Sequence, residues 1–340
     1  MHRQNSRIGI QSVGHYLPKN KVENSHFLDR GMDTSTEWIE SRTGILSRHI
    51  AAPNETTSDL ATKAARHALA KHSTSLNDIH FIIVATATPD HTGFPSTACL
   101  VQKKLGLQRP IPCFDITAAC SGFTYALGIA YGYISSGIST QGLIIGAETL
   151  SRLVNWNDRR TAILFGDGAG AAVVGPVHTG GIQSIDQGAD GDSADILQCV
   201  PTSNVEGFDQ LPRQGDPSII TMDGPAVFKK GVQVVFESIF RALEKAQKTA
   251  DQIDYFVCHQ ANARILDRVA KKLGIPNTRF LMNIDHVGNT SAASIPLVLS
   301  DYDNQSQFKP GDTLCLVGFG AGFTWGSIII EWSCKSNESI

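Results

Sequence analysis

Asp78-Ile79-His80-Phe81-Ile82-Ile83-Val84 passes from polar residues into an apolar run of strand length, and Gln252-Ile253-Asp254-Tyr255-Phe256-Val257-Cys258 repeats that pattern far along the chain. Each run leads to a helix-like segment that ends alike. Val101-Gln102-Lys103-Lys104-Leu105-Gly106-Leu107 is echoed by Val269-Ala270-Lys271-Lys272-Leu273-Gly274-Ile275, with Gly as the helix C-cap and the next apolar residue packing back. A third pair follows in the same order: Gly166-Asp167-Gly168-Ala169-Gly170 and Gly318-Phe319-Gly320-Ala321-Gly322, each before an apolar run. The chain therefore reads as an internal duplication of the α/β class. Strands alternate with helices in each half, which predicts a buried, largely parallel sheet covered by helices. The halves are expected to divide near residue 182, as 1–182 and 183–340. Extra residues around Asp33 to Thr57 and Ser184 to Thr221 read as insertions. The latter, rich in Gly, Asp, Ser and Pro, is expected to run over the surface near an entrance.

A chain of 340 residues has room for one large or two medium domains. Hydrophobic residues make up 41%, charged residues 18%, and there are 31 glycines, which describes a tightly packed enzyme rather than a disordered or fibrous chain. The net charge of -3 offers no general attraction to nucleic acid or an anionic membrane, so an anionic partner must meet a local basic patch. The seven cysteines are scattered and contain no C-x-x-C pair, which argues against a disulfide framework or a thiolate zinc site and for a reducing compartment. Met1 to Pro18 has no apolar run of signal-peptide length, and no segment approaches the roughly 18 apolar residues of a membrane span. A cytoplasmic protein is expected.

Three segments carry candidate chemistry. Asp115-Ile116-Thr117-Ala118-Ala119-Cys120-Ser121-Gly122-Phe123 begins as a strand and turns into small residues, after which Ala126, Leu127, Ala130 and Tyr133 recur at helical spacing. Cys120 thus sits at a strand-to-helix turn, where unpaired N–H groups and the helix dipole favour the thiolate that attacks a thioester. The plain alternative is a small buried hydrophobe, and Cys99, Cys113, Cys199, Cys315 and Cys334 are read that way. In Cys258-His259-Gln260-Ala261-Asn262-Ala263-Arg264, His259 stands where the second-half strand ends, a usual ligand position in such sheets. A neutral imidazole there donates a hydrogen bond or shuttles a proton. A satisfied structural histidine is the alternative, and metal binding is disfavoured because no second ligand stands at ligand spacing. Asn289, in His286-Val287-Gly288-Asn289-Thr290-Ser291-Ala292-Ala293-Ser294, is either a cap or turn residue or a neutral donor to a developing oxyanion.

Taken together these segments resemble the beta-ketoacyl-acyl carrier protein synthase III family, of the thiolase-like superfamily. The resemblance extends through Asp33-Thr34-Ser35, Glu37-Trp38-Ile39, Arg42-Thr43-Gly44-Ile45, Arg48-His49-Ile50-Ala51-Ala52-Pro53-Asn54-Glu55-Thr56, Phe165-Gly166-Asp167-Gly168-Ala169-Gly170-Ala171-Ala172, His259-Gln260-Ala261-Asn262 and Gly322-Phe323-Thr324-Trp325-Gly326. It implies a thiolase-like fold: two duplicated α/β halves with stacked mixed sheets in a layered α/β/α/β/α arrangement. It also implies a decarboxylative Claisen condensation. A primer acyl-CoA acylates Cys120, with the N–H groups of Cys120 and Ala321 holding the oxyanion. Malonyl-acyl carrier protein then loses CO2, with His259 and Asn289 holding the enolate oxygen, and the carbanion attacks the acyl-cysteine to give a 3-oxoacyl-acyl carrier protein that starts fatty acid synthesis. Acyl-CoA is a substrate, and no metal or redox cofactor is implied.

The same resemblance assigns Trp38, Arg42 and Arg159 to a clamp on CoA, and Thr34, Gly224, Phe228 and Asn262 to the pantetheine tunnel. Phe94 resembles a residue lent across a homodimer to close the acyl pocket. From Ala263 to Leu273, Ile265, Leu266, Val269 and Leu273 share one helical face while Arg264, Arg268 and Lys271 follow another. Beside a tunnel mouth, that basic stripe suits an acidic carrier protein, with Lys229 and Lys272 contributing. Val287 before Gly288 departs from the family pattern, which leaves the primer open among acetyl, branched, medium-chain and aromatic groups. The nearest rival is a paralogous ketosynthase of specialised metabolism using another primer. A non-catalytic acyl-CoA-binding protein is the non-enzyme alternative. A degradative thiolase is disfavoured because the C-terminal glycine loop holds no second cysteine.

Overall fold

The computed structural model describes residues 7–71, 74–201 and 218–334. The first half runs β1 (Arg7–Tyr16), β2 (Asn20–Glu23), α1 (Ser25–Asp29), α2 (Thr36–Thr43), β3 (Ser47–Ile50), α3 (Thr57–Lys71), β4 (Ile82–Ala85), α4 (Thr97–Leu105), β5 (Cys113–Ile116), α5 (Gly122–Ser135), β6 (Gly142–Thr149), α6 (Arg159–Ala162) and β7 (Asp167–Val177). The second runs β8 (Gly181–Ala189), β9 (Leu197–Pro201), β10 (Ser218–Met222), α7 (Gly224–Ala246), β11 (Tyr255–Cys258), α8 (Ala263–Leu273), α9 (Ile284–Val287), α10 (Ser294–Asn304), β12 (Thr313–Gly320) and β13 (Thr324–Glu331).

Two sheets form the framework, in the orders β1-β7-β6-β4-β5 and β11-β12-β13-β8. The expectation of largely parallel sheets is corrected, because both are mixed. β4 pairs parallel with β5 and β6, and β11 with β12, where a helix intervenes along the chain. β6 with β7, β7 with β1, β12 with β13 and β13 with β8 are antiparallel. The β12–β13 connection is Ala321-Gly322-Phe323, too short for the crossover that parallel strands need.

The layering is α/β/α/β/α. Helices α3 and α4 cover the outer face of the first sheet, α5 and α10 lie between the sheets, and α7 and α8 cover the outer face of the second. Strand burial explains why the apolar runs did not alternate with polar residues. Ile82 and Val84 pack outward against Leu60, Ala64 and Val101, while Ile83 and Ala85 pack inward against Phe123 and Ala126. Each large side chain so enclosed contributes about 1.5–3 kcal/mol.

The first two sequence echoes coincide in position: β4 and β11 each follow a 3-10 turn, and α4 and α8 each end on a left-handed glycine, Gly106 and Gly274. The third is displaced by one strand. Gly166–Gly170 opens β7, whereas Gly318–Gly322 closes β12 and turns toward β13. Sheet order makes β13 the counterpart of β7, so glycine content marked close backbone approach rather than homologous position. The second insertion also begins later than expected, since Ser184 to Ala189 belong to β8. Among the described residues no helix is long and apolar enough to cross a membrane.

Candidate active site

β5 ends at Ile116, and after Thr117 and Ala118 a 3-10 turn, Ala119–Ser121, hands the chain to α5. Ala119 has φ of 43°, a conformation a non-glycine residue adopts at a cost of about 1 kcal/mol or more, and the turn it makes presents Cys120 at the floor of a cavity. The turn is held from the second half: Ser121 Oγ donates to Thr324 Oγ1 at 2.7 Å, and Thr324 Oγ1 donates to Ala118 O at 3.1 Å. Gly320, the last residue of β12, lies against the nucleophile; a Cβ there would stand 2.7 Å from Cys120 N and 3.1 Å from Sγ. Burial pushes the Cys120 thiol up to about 12, the opposite direction to the helix-dipole effect expected from sequence. The thiol is protonated at neutral pH.

His259 follows β11 directly, its N–H donating to Val317 O at 2.7 Å. Its ring meets Phe319 edge-on at 5.2 Å between centroids, and Nδ1 lies 3.1 Å from Ser294 Oγ at the start of α10. Burial pushes the imidazole down to about 3, so it is neutral. Asn289 extends the chain beside Phe165 as a parallel bridge, with its N–H on Leu164 O at 2.8 Å and its C=O taking the Gly166 N–H at 2.9 Å. Its Oδ1 accepts from Ser291 N at 2.9 Å, which leaves Nδ2 as the free end of the carboxamide. Cys120, His259 and Asn289 line one cavity of about 780 Å3.

Glu148 near the end of β6 and Ser291 escaped the sequence reading. Glu148 is fully buried, accepting from Thr88 Oγ1 at 2.7 Å, Ala87 N at 3.1 Å and Thr86 Oγ1 at 3.3 Å. Ser291 lines the same cavity as Cys120, in a turn packed against both the 119–121 turn and β6. The available signal was a carboxylate terminating an otherwise apolar buried strand.

The cavity widens to a mouth lined by Trp38, Arg42, Arg159, Gly224, Phe228, Asn262 and Arg264. Ser35 caps α2 by accepting from Trp38 N, and the i, i+4 spacing puts Trp38 and Arg42 on one helix face. The Arg159 and Arg42 guanidiniums stand 4.7 and 5.9 Å from the Trp38 ring centroid. Asn262 caps α8 through Oδ1 and ties it to α2 through Nδ2 on Arg42 O at 3.0 Å. Asp223 caps α7, whose first two turns carry Gly224 and Phe228. Leu197, Cys199, Ile220 and Met222, on β9 and β10, line the wall, whereas residues 202–217 of the expected entrance loop lie outside the described residues.

Several expected residues lie elsewhere. Thr34 is not on the cavity wall, and Phe94 is 89% exposed and away from it. Lys229, Arg268, Lys271 and Lys272 are exposed beyond the wall, flanking the mouth residues Phe228 and Arg264 in sequence. Cys99 and Cys199 are exposed rather than buried, which corrects their reading as core residues. Among the described residues no cluster of His, Cys, Asp or Glu is fit to hold a metal ion.

Residues 114–191 match the family described as 3-oxoacyl-[acyl-carrier-protein] synthase III, and residues 243–332 match its C-terminal region. The chain is 48% identical over 323 residues to beta-ketoacyl-[acyl-carrier-protein] synthase III of Neisseria gonorrhoeae, covering 95% of this chain and 98% of that protein. The crystal structure of 3-oxoacyl-[acyl-carrier-protein] synthase III from Aquifex aeolicus superposes with a TM-score of 0.87 at 40% identity, covering 96% of this chain and 100% of that one. A priming beta-ketosynthase of the R1128 polyketide pathway superposes with a TM-score of 0.88 at 33% identity, covering 98% and 99%. On sequence and fold alike, the chain belongs to the beta-ketoacyl-[acyl-carrier-protein] synthase III family of condensing acyltransferases.

Proposed function

We propose that Cys120, His259 and Asn289 divide the two half-reactions of this condensation between them. The overall reaction joins a primer acyl-CoA to malonyl-acyl carrier protein with loss of CO2, giving a 3-oxoacyl-acyl carrier protein and initiating fatty acid synthesis. The observation that carries the assignment is the convergence of a thiol, a neutral imidazole and a carboxamide on one cavity. Cys120 forms the acyl-enzyme, and the backbone N–H groups of Cys120 and Ala321 hold the carbonyl oxygen as it becomes an oxyanion. Ala321 serves here because only its backbone is used. Nδ1 lies within hydrogen-bond distance of Ser294 Oγ, and in this reading the hydroxyl donates to it, so that the His259 ring carries its proton on Nε2. That N–H and Asn289 Nδ2 are two neutral donors for the enolate oxygen that forms when malonyl loses CO2. Neutral donors suit this step: they stabilise the developing charge without surrendering a proton to it, and an imidazole at about 3 is the group least able to be a cation there.

CoA enters between α2, α6 and α7. Trp38, Arg42 and Arg159 hold the nucleotide end, while Gly224, Phe228 and Asn262 line the pantetheine path. Lys229, Arg264, Arg268, Lys271 and Lys272 form the docking face for the acidic carrier protein. The exposed Phe94 closes the acyl pocket of a second copy, which makes the working protein a homodimer. The division of the chain at residue 182 belongs to this reading; β7 ends at Val177 and β8 begins at Gly181. The likeness to a polyketide priming synthase supports a second reading, in which a different primer feeds a specialised pathway. Incubating the protein with acetyl-, octanoyl- or anthraniloyl-CoA should add the acyl mass to the peptide carrying Cys120, and Cys120→Ala should abolish the adduct. Tight acyl-CoA binding with neither adduct nor CoA release would make the protein a binder. The best primer separates the two pathways.

A further inference from the structure

His259 and Asn289 reach the cavity from different segments, one after β11 and one after α9, and two donors serve a single oxygen only at a fixed separation. Helix α10 spans the two segments. Its first residue, Ser294, has Oγ 3.1 Å from His259 Nδ1. Asp301 stands nearly two whole turns further on, so it shares that helix face about 10 Å along the axis. There its carboxylate gathers three partners. Oδ2 accepts from Asn283 Nδ2 at 2.5 Å and lies 3.8 Å from His286 Nε2, while Oδ1 lies 3.6 Å from His15 Nδ1 on β1. Asn283 and His286 both belong to the stretch that leads into Asn289. Asn283 also reaches back toward the imidazole: its N–H donates at 3.2 Å to Oε1 of Gln260, the fully buried residue that follows His259.

We propose that Asp301 is a positioning residue for the decarboxylation half-reaction: by holding Asn283 and His286 it closes the 283–301 segment on itself and so fixes the separation of the His259 and Asn289 donors. Asn289 and Ser294 both lie inside the closed segment. One end of α10 therefore bears on His259 and the other on the chain that delivers Asn289. The inference rests on His259 and Asn289 holding the enolate oxygen.

The path from Asp301 to Asn289 is short and stiff. Asn283 opens α9, a single turn closed by Val287 N–H on Asn283 O at 3.1 Å and Gly288 N–H on Ile284 O at 3.0 Å, and Asn289 comes next. Leu46 N–H on Asp285 O at 2.8 Å holds the turn from the far side. Asn283 is 1% exposed, so its bond to Asp301 is shielded from water and costly to lose. His286 stands between Asp285 Oδ1 at 2.9 Å and Asp301, and these carboxylates push it up to about 9, so it meets Asp301 as a cation. The acylation machinery is anchored elsewhere. The Cys120 turn is tied to Thr324 of β13, outside the 283–301 segment, which confines the expected effect to one half-reaction.

The test measures the two half-reactions separately in full-length protein. Rapid-quench mass spectrometry follows Cys120 acylation by one competent acyl-CoA, and CO2 release follows decarboxylation of malonyl-acyl carrier protein. In Asp301→Ala, kcat for CO2 release should fall about 10- to 100-fold, the effect of displacing a donor by up to about 1 Å, with the acylation rate and KM for malonyl-acyl carrier protein within about threefold of wild type. His286→Gln should lose about three- to tenfold in the same half-reaction, and His286→Arg, which keeps a cation beside Asp301, should restore it. Wild-type CO2 release in Asp301→Ala, or equal slowing of both half-reactions, overturns the proposal; the second result would give Asp301 a purely structural role. Should Asp301→Ala not fold, wild-type CO2 release in His286→Gln is equally decisive against it, as is a His286→Arg protein no faster than His286→Gln. A His259→Ala protein that releases CO2 at the wild-type rate would instead remove the assignment of the enolate donors, and the proposal with it.

Discussion

Replacing Gly320 by Ala places one methyl group against the nucleophile. The added Cβ would stand 2.7 Å from Cys120 N, 2.9 Å from Cys120 Cβ and 3.1 Å from Sγ. Nonbonded carbon contacts settle at roughly 3.5–4.0 Å, so the end of β12 and the Cys120 turn must part by roughly 0.5–1 Å. Neither side yields cheaply. Gly320 is registered opposite Thr324 in the sheet, and Cys120 is backbone in a turn tied to the same Thr324. The movement separates Sγ from the N–H of the neighbouring Ala321, one of the two proposed oxyanion donors. A displacement of about 1 Å or the loss of one donor each costs on the order of 10²-fold, or about 2.7 kcal/mol of barrier. Overpacking costs stability about 1–3 kcal/mol, which a domain stable by roughly 5–15 kcal/mol survives. Acylation of Cys120 in Gly320→Ala should therefore slow about 10²-fold in a protein that still folds and still binds acyl-CoA. Single-turnover CoA release with mass detection of the adduct measures it. Gly191→Ala, where a Cβ would meet nothing within 4 Å, is the control. Acylation within twofold of wild type in a folded Gly320→Ala protein would refute the oxyanion geometry.

Trp38→Ala removes the ring covered by two guanidiniums; it should raise KM for acyl-CoA roughly 5- to 30-fold in steady-state assays, with kcat little changed. Arg268→Glu, an exposed charge on α8, should raise KM for malonyl-acyl carrier protein roughly tenfold, with the effect shrinking as salt rises and with acyl-CoA kinetics unaffected. The folded protein holds a proton on Glu148 up to about 7, whereas the ordinary carboxyl releases it near 4.5. Burial therefore makes this group most favourable below about 4.5 and progressively less so up to about 7. Denaturant titrations should show the stability of wild type relative to Glu148→Gln falling by about 3 kcal/mol between those pH values and staying level above.

The parts legible in the amino-acid order were those governed by local periodicity and capping. The apolar runs at β4 and β11 and the glycine stops at Gly106 and Gly274 exposed the duplication, because strand burial and left-handed caps leave composition signals within a few residues. Cys120 after β5 and His259 after β11 were locatable for the same reason. Asn289 stood out less sharply, because an Asn in a loop of small polar residues is as readily a cap or turn residue as a donor. Strand direction was not legible, since an apolar strand reads alike in either direction and only connection length decides it. Glycine-rich stretches misled for a related reason: Gly166–Gly170 and Gly318–Gly322 serve close approaches on different strands.

Sequence alone determined that two α/β units recur and which thiol, imidazole and carboxamide were worth watching. Tertiary structure decided what state those groups are in. A helix start favours a thiolate, yet burial at the bottom of the cavity keeps Cys120 protonated and His259 neutral, because desolvation depends on how many layers of chain surround a group. It also decided which unremarked residues stand beside them: Glu148 and Ser291 come near Cys120 only because β6, the 291–293 turn and the 119–121 turn are folded against one another, and residues so far apart in the chain carry no local mark of where they will meet.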